Sequence, residues 1–154
     1  MPVLDLADLS AACPPGTAWF GLDLGETTIG VAASDASRMI ASPLETLRKT
    51  KFTDDANRLL RLMDERNASA LIIGLPVNMD GTEGPRAQSC RAFARNLDRI
   101  RPAPVAFWDE RLSTSAVERF LIEDLDLSRK RRAQVVDRTA AAWILQGALD
   151  RLRG

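Results

Sequence analysis

The order of the predicted elements indicates an α/β fold in which one mixed sheet is flanked by helices. Three strands joined by short links come first, and two further strands then alternate with helices. Antiparallel strands followed by strand–helix alternation are typical of a mixed sheet with helices packed on it. Of the 154 residues, we expect 1–16 to form an N-terminal arm and 17–154 a single compact domain with a buried core.

The opening strands are predicted from apolar runs. Residues 19–24 and 29–34 form two such runs, and the short link between them indicates a hairpin. Residues 40–47 predict a third strand. Its Pro43 lacks a backbone N–H, which favours an edge position or a bulge.

Strands and helices alternate in the next part of the chain. Residues 54–67 predict a helix with Thr53 as its N-cap, because leucines and a methionine recur at helical spacing. A continuous apolar strand at 70–75 is followed by a polar, glycine-rich loop at 76–84. Pro85 fits the first position of a further helix that ends near residue 99.

The C-terminal part is predicted to contain one strand and two helices. The strand spans 104–108, and Ser115 with Glu118 matches a capping box at the start of a helix. That helix ends near residue 125. The last helix spans about 128–152, with these core candidates: Val135, Val136, Ala140, Trp143, Ile144 and Leu149.

Histidine and tyrosine are absent from the sequence. Their absence excludes Ser-His-Asp and Cys-His catalysis, histidine zinc sites and tyrosine nucleophiles. Carboxylates with a hard metal ion remain the most economical means of hydrolysing a phosphate ester at neutral pH. The two cysteines suggest no disulfide framework, no apolar run reaches the ~20 residues of a membrane span, and the N-terminus lacks secretory-signal features. We therefore expect a cytoplasmic protein.

Three acidic residues in distant segments are the most informative feature of the chain. Asp23 and Glu110 lie at the ends of apolar strands, and Asp137 lies within an apolar helical pattern. Desolvating a carboxylate is costly unless a cation neutralises it, so the three acids could converge on one divalent metal site. Simpler interpretations stay open: a turn or cap role for Asp23, and an ion pair with Arg111 for Asp109, Glu110 or Asp137.

Basic charge is concentrated in two segments although the net charge is zero. Almost all of it is arginine, whose planar guanidinium suits phosphate. A solvated helix face is the alternative interpretation of each cluster. The first cluster comprises Arg86, Arg91, Arg95, Arg99 and Arg101, and the second spans residues 129–132.

Four motifs follow one another along the chain. They are Gly21-Leu-Asp-Leu-Gly25 with Ile29-Gly-Val-Ala32 and Ser34-Asp35, then Gly74-Leu-Pro-Val-Asn-Met-Asp-Gly-Thr-Glu-Gly-Pro-Arg86, Asp109-Glu-Arg-Leu-Ser-Thr114, and Val136-Asp-Arg-Thr-Ala-Ala-Ala-Trp-Ile-Leu-Gln146. Together they resemble the YqgF (RuvX-like) family of bacterial proteins over about residues 19–152. The resemblance implies an RNase H-like fold with a five-stranded mixed sheet. Members of this family are described as Holliday-junction resolvases and as nucleases that mature the 5′ end of pre-16S rRNA.

The resemblance also implies roles for particular residues. The acids of the family fall on Asp23, Glu110 and Asp137, which implies that these residues are catalytic and bind Mg²⁺ or Mn²⁺. Three further residues are implied to contact the substrate: Asn78, Arg86 and Arg111. For the loop that holds Asn78, ordinary turn chemistry is the alternative.

One position departs from the family pattern. The family usually carries Thr-Lys-Arg or Thr-Lys-Thr after its Asp-Leu-Gly, whereas this chain has Glu26-Thr-Thr28. The lysine of the family resembles a phosphate contact, so we expect Glu26 to weaken substrate binding or to alter metal affinity. A solvent-facing hairpin residue is the alternative.

The leading functional expectation is a metal-dependent endonuclease that matures pre-16S rRNA in ribosome biogenesis. Its partners would be nucleic acid, with pre-rRNA favoured over branched DNA, and ribosomal particles, without membrane association. The alternatives are a Holliday junction resolvase, a non-cutting ribosome-assembly or transcription factor, and an actin-like phosphotransferase, which normally needs two such domains. The sequence does not decide between a monomer and a homodimer, nor does it identify the metal or the cleavage site.

Overall fold

The computed structural model describes residues 4–112 and 129–153, with side chains described for 4–111 and 139–153. The strands are β1 (Ala18–Leu24), β2 (Thr28–Ser34), β3 (Ala41–Arg48), β4 (Ala68–Leu75) and β5 (Val105–Asp109). The helices are α1 (Leu6–Ala12), α2 (Phe52–Glu65), α3 (Pro85–Ile100) and α4 (Arg129–Arg153), and a 3₁₀ turn spans Glu110–Leu112. The strands form one sheet in the order β3-β2-β1-β4-β5.

The sheet is mixed, as predicted. β1 and β2 form an antiparallel hairpin and β3 pairs antiparallel with β2, whereas β4 lies parallel to β1 and β5 parallel to β4. Pro43 lies on the edge strand β3, opposite Ala32, where the register of the pairing shifts. An edge next to an irregularity tolerates the missing N–H of proline, so the prediction for Pro43 is confirmed.

Alternation along the strands divides the core between the two faces of the sheet. Phe20 and Leu22 of β1 pack among apolar residues of α2 and α3, whereas Trp19 packs among residues of α1 and α4. Gly21 also faces α4, and a Cβ added to it would lie 2.6 Å from the carbonyl oxygen of Ala141. The backbone of α4 therefore lies directly against β1.

Helix α4 runs antiparallel to β1. Near the C-terminal end of α4, Arg153 donates a hydrogen bond of 2.9 Å to the carbonyl of Met39. The side chain of the neighbouring Arg38 donates to the carbonyl of Thr17, just before β1, at 2.9 Å. Ala141 contacts Gly21 farther along β1. The N-terminal part of α4 consequently extends towards the carboxyl end of β1.

Two elements differ from the expectation near the N-terminus and in α2. The segment expected as an arm contains α1, where the Asp5 carboxylate accepts a hydrogen bond of 2.9 Å from the N–H of Asp8. Leu9 of this helix is fully buried. Helix α2 begins at Phe52, so the predicted N-cap at Thr53 is wrong. Lys51 occupies the N-cap position and makes no side-chain hydrogen bond there.

The C-terminal helix confirms part of its predicted core. Ala140, Ile144 and Leu149 are buried, whereas Trp143 is 45% exposed, so its placement in the core is wrong. Successive residues of a helix are rotated by about 100°. Because Ile144 faces the sheet, its neighbour Trp143 lies at the side of the helix, where it is partly open to solvent. The side chains of Val135 and Val136 and the helix predicted over residues 115–125 lie outside the described residues. None of the helices described combines the length and apolarity needed to cross a membrane.

Candidate active site

The candidate site lies at the carboxyl edge of the central strands, on the face that α4 covers. Leu22 pairs with Ile73 across β1 and β4, and continuing this register by one residue sets Asp23 beside Gly74. Gly74 in turn pairs with Trp108 of β5. The side chains of Asp23 and Trp108 therefore flank Gly74 on the same face of the sheet.

The Glu110 carboxyl group reaches back to Asp23 from the 3₁₀ turn after β5. The two side chains are hydrogen-bonded to each other. Burial raises the pKa of Glu110, as does the negative charge of Asp109, while the hydrogen bond to Asp23 and the positive charge of Arg86 lower it, and the net pKa is raised. Two ionised carboxylates in such contact repel each other, and either a shared proton or a bound cation relieves that repulsion.

Gly74 makes room for the Glu110 side chain. A Cβ on Gly74 would lie 2.6 Å from Oε1 of Glu110 and 2.5 Å from Cδ1 of Ile144. Any side chain at this position would therefore displace the carboxyl group of Glu110. In the sequence, Gly74 stands out only as the first residue of one of the four motifs. The available signal was a glycine inside an otherwise apolar strand, which often marks a close approach.

Asp109 and Glu110 are adjacent in sequence but have different partners. Nε and Nη2 of Arg111 donate hydrogen bonds of 2.9 and 2.6 Å to Oδ2 of Asp109. Nη1 of Arg111 donates to the carbonyl of Asn78 at 3.2 Å. Of the open pairings with Arg111, the one with Asp109 is therefore formed. Arg111 joins the end of β5 to the loop at 76–84.

Hydrogen bonds within the polar loop at 76–84 hold it beside this edge. The N–H of Asn78 donates to the carbonyl of Thr82 at 2.8 Å, and its Nδ2 donates to Oγ1 of Thr82 at 3.0 Å. The Asp80 carboxylate accepts hydrogen bonds from the N–H and the hydroxyl of Thr82 at 3.0 and 2.6 Å. The side-chain amide of Asn78 thus forms a hydrogen bond within the loop, which supports the alternative that these residues stabilise a turn. Its contact with substrate stays a prediction.

The third predicted acid, Asp137, belongs to α4, but its side chain lies outside the described residues. Its backbone is one helical turn, about 6 Å along the axis, from Ala141. Because Ala141 contacts Gly21 and α4 runs antiparallel to β1, this turn extends towards Asp23. Among the side chains that are described, no three carboxylates or thiols are close enough to hold a metal ion. Asp23 and Glu110 are the two predicted ligands that are brought together.

The architecture is that of the RNase H-like fold. It resembles Thermus thermophilus RuvC in complex with a Holliday junction substrate, with a TM-score of 0.54, 14% identity, and coverage of 88% of this chain and 96% of that one. It also resembles the fowlpox virus resolvase in its complex with Holliday junction DNA, with a TM-score of 0.52, 11% identity, and coverage of 90% and 100%. At these identities the likeness is one of fold.

The chain belongs to the RuvX family, described as Holliday junction resolvase, whose match spans residues 17–151. A protein of Phenylobacterium zucineum named "Putative pre-16S rRNA nuclease" is 68% identical over 154 residues, which is 99% of each chain. A relative from Caulobacter vibrioides with the same name is 62% identical over 155 residues, covering 100% of this chain and 99% of its own. The resemblance noted from the four motifs is thereby confirmed.

Proposed function

We propose that this protein is a metal-dependent endonuclease that hydrolyses phosphodiester bonds in structured nucleic acid. Its role would be the 5′-end maturation of pre-16S rRNA in the cytoplasm, as part of ribosome biogenesis. The contact between Asp23 and Glu110 at the carboxyl edge of the sheet carries this proposal. The names of relatives that are more than 60% identical support RNA as the substrate.

The donor set fits a hard divalent cation. Asp23 and Glu110 present carboxylate oxygens to each other, and such oxygens are the ligands that Mg²⁺ and Mn²⁺ prefer. We assign Asp23, Glu110 and Asp137 as ligands, and the course of α4 towards Asp23 supports the third assignment. A bound metal ion would supply an activated water and a stabilised leaving oxygen.

The surrounding residues of the chain would hold and orient the substrate strand. Arg86 is close enough for its charge to lower the pKa of Glu110, so a phosphate beside Arg86 would also lie near the acids. Arg111 orders the loop that carries Asn78 through its bonds to Asp109 and to the loop backbone. Arg86, Arg111 and Asn78 are accordingly assigned to substrate binding.

Cleavage of two substrates by the purified protein tests the proposal. A labelled 5′-extended pre-16S rRNA fragment and a four-way DNA junction are incubated with Mg²⁺, Mn²⁺ or a chelator. We expect metal-dependent cutting of the RNA that Asp23→Asn abolishes. The matched control is Asp54→Asn, an equal charge change at an exposed position in the first turn of α2.

The second candidate is a Holliday junction resolvase, which the description of the RuvX family favours. Metal-dependent cutting of the junction but not of the RNA would select it. Binding of either substrate by the wild type, without cutting under any metal condition, would overturn the nuclease proposal and leave a non-cutting assembly factor.

A further inference from the structure

A cavity of about 300 Å³ opens at the same carboxyl edge, on the opposite face of β1 from Asp23. Its apolar side comes from the end of β1 and from α3. Two cations and one acid stand at its rim. The apolar lining is Leu24, Cys90 and Phe93, and the charged residues are Glu26, Lys49 and Arg86.

Lys49 enters this cavity from the end of β3. Its backbone N–H donates a hydrogen bond of 2.9 Å to the carbonyl of Thr27, which fastens it to the β1–β2 hairpin. The lysine is thereby placed near Glu26, and both side chains line the cavity. Lys49 thus brings a positive charge to the β1–β2 hairpin, which itself carries the acidic Glu26.

Lys49 and Arg86 differ from Arg91 and Arg111, whose guanidinium groups are paired with carboxylates. Arg91 forms an ion pair with Glu83 at 2.6 Å and Arg111 forms one with Asp109 at 2.6 Å. Within the part of the chain that the structure describes, the side chains of Lys49 and Arg86 form no hydrogen bond or ion pair. Both residues are exposed, so their charge is available to a ligand in the cavity.

The cavity lies within electrostatic reach of the acid pair. Burial raises the pKa of the Cys90 thiol to about 11; the charges of Glu110 and Asp23 also raise it, while those of Arg86 and Lys49 lower it. Gly25 separates the two sites along the chain and lines the cavity. A strand that offers one phosphate to the acids could therefore offer a neighbouring phosphate to the cations.

We propose that this cavity binds the nucleotide next to the scissile bond, with its phosphate held by Lys49 and Arg86 and its base or sugar against Phe93. This rests on the proposed nuclease function. A nucleotide combines an anionic phosphate with apolar ring faces, which matches a cationic rim over an apolar floor. The carboxylate of Glu26 at the rim opposes the phosphate and lowers the affinity.

The test uses adenosine 5′-monophosphate and adenosine as probes, titrated into the protein in chelator and followed by amide NMR shifts of Gly25, Cys90 and Phe93. We expect the monophosphate to bind more tightly than adenosine. Lys49→Ala and Arg86→Ala should each weaken its binding about tenfold, and Glu26→Gln should strengthen it. Lys51→Ala is the matched control, since it removes the same charge two residues away from Lys49 and outside the cavity.

Two results would overturn the proposal: equal binding of the two probes by the wild type, or equal effects of Lys49→Ala and Lys51→Ala. The readout contains no metal and no cleavage, so it is independent of the nuclease assay. If Lys49→Ala does not weaken binding of the monophosphate but the protein still cuts RNA, only the assignment of the cavity is rejected. If Lys49→Ala weakens binding in a protein that does not cut, the nuclease proposal is rejected and only the nucleotide-binding role of the cavity is retained.

Discussion

The carboxyl groups of Asp23 and Glu110 are hydrogen-bonded across the carboxyl ends of β1 and β5. Each belongs to a segment that reads as an ordinary apolar strand with an acid at its end. Their contact depends on the parallel pairing of β4 with both strands and on a glycine between them. Two consequences of this arrangement can be measured, as can one of the polar cluster around Asp55 and one of the ion pair between Arg111 and Asp109.

Asp23→Asn is expected to abolish cleavage without destabilising the fold. The side-chain amide of asparagine can donate a hydrogen bond to the Glu110 carboxylate. In the wild type two carboxyl groups face each other, and they can form a hydrogen bond only if one of them is protonated. We expect the melting temperature to stay the same or rise, and the cleavage rate to fall roughly a thousandfold, because several kcal/mol of metal-assisted stabilisation are lost. Thermal unfolding and single-turnover cleavage of one preparation measure both. A variant that melts much earlier would indicate that the acids are structural.

Gly74→Ala is expected to reduce cleavage by displacing Glu110. The added methyl would meet Oε1 of Glu110 at 2.6 Å and Cδ1 of Ile144 at 2.5 Å. Overpacking of this kind costs about 1–3 kcal/mol, which urea unfolding would measure. The double variant with Ile144→Val removes only the clash with Cδ1. It should recover part of the stability but not the cleavage rate, and recovery of both together would contradict a specific effect on Glu110.

The candidate site was less predictable from sequence than the fold around it. The apolar runs of β1 and β4 and the proline at the start of α3 are local signals, and they located those elements. The seven residues of α1 are too few to show a helical period, so the burial of Leu9 was missed. The role of Gly74 depends on a side chain from another strand, and the entry of Lys49 into the cavity depends on the pairing of β3 with the hairpin. Such relationships are tertiary, and no single segment carries them.

Asp55→Asn is expected to lower stability in a pH-dependent manner. The buried carboxylate accepts hydrogen bonds from the N–H and hydroxyl of Thr50 at 3.0 and 2.9 Å, and from Arg58 at 2.6 Å. Burial opposes ionisation, but these bonds outweigh it and lower the pKa of Asp55 below 3.8. The folded state therefore favours the ionised form, which stabilises the protein above about pH 4 and is lost as the pH falls through the lower folded-state pKa.

The measurement for Asp55 is the free energy of urea unfolding between pH 3 and pH 7. We expect the wild type to exceed Asp55→Asn by about 1–3 kcal/mol near neutral pH, with the difference shrinking below about pH 4. Asp54→Asn changes the same charge at the exposed neighbouring position and should leave the curve almost unchanged. A difference between the wild type and Asp55→Asn that stays constant down to pH 3 would contradict the assignment.

Arg111→Lys is expected to loosen the loop at 76–84 while leaving global stability nearly unchanged. Lysine cannot reproduce the fork that joins Asp109 to the carbonyl of Asn78. The pair is partly exposed, so its loss should cost less than about 1 kcal/mol in unfolding. Amide hydrogen exchange at Asn78 and Gly81, whose N–H groups donate to the carbonyls of Thr82 and Asn78 and close the loop, should accelerate.

The same variant separates two roles of Arg111 in the proposed nuclease. If the guanidinium acts only by ordering the loop, Arg111→Lys and Asp109→Asn should accelerate exchange in the loop and raise KM to similar degrees, since each breaks the same pair. If Arg111 also contacts the substrate, Arg111→Lys should raise KM further than Asp109→Asn at equal loop exchange. Unchanged exchange in both variants would show that the pair does not hold the loop, and the anchoring role would then be rejected.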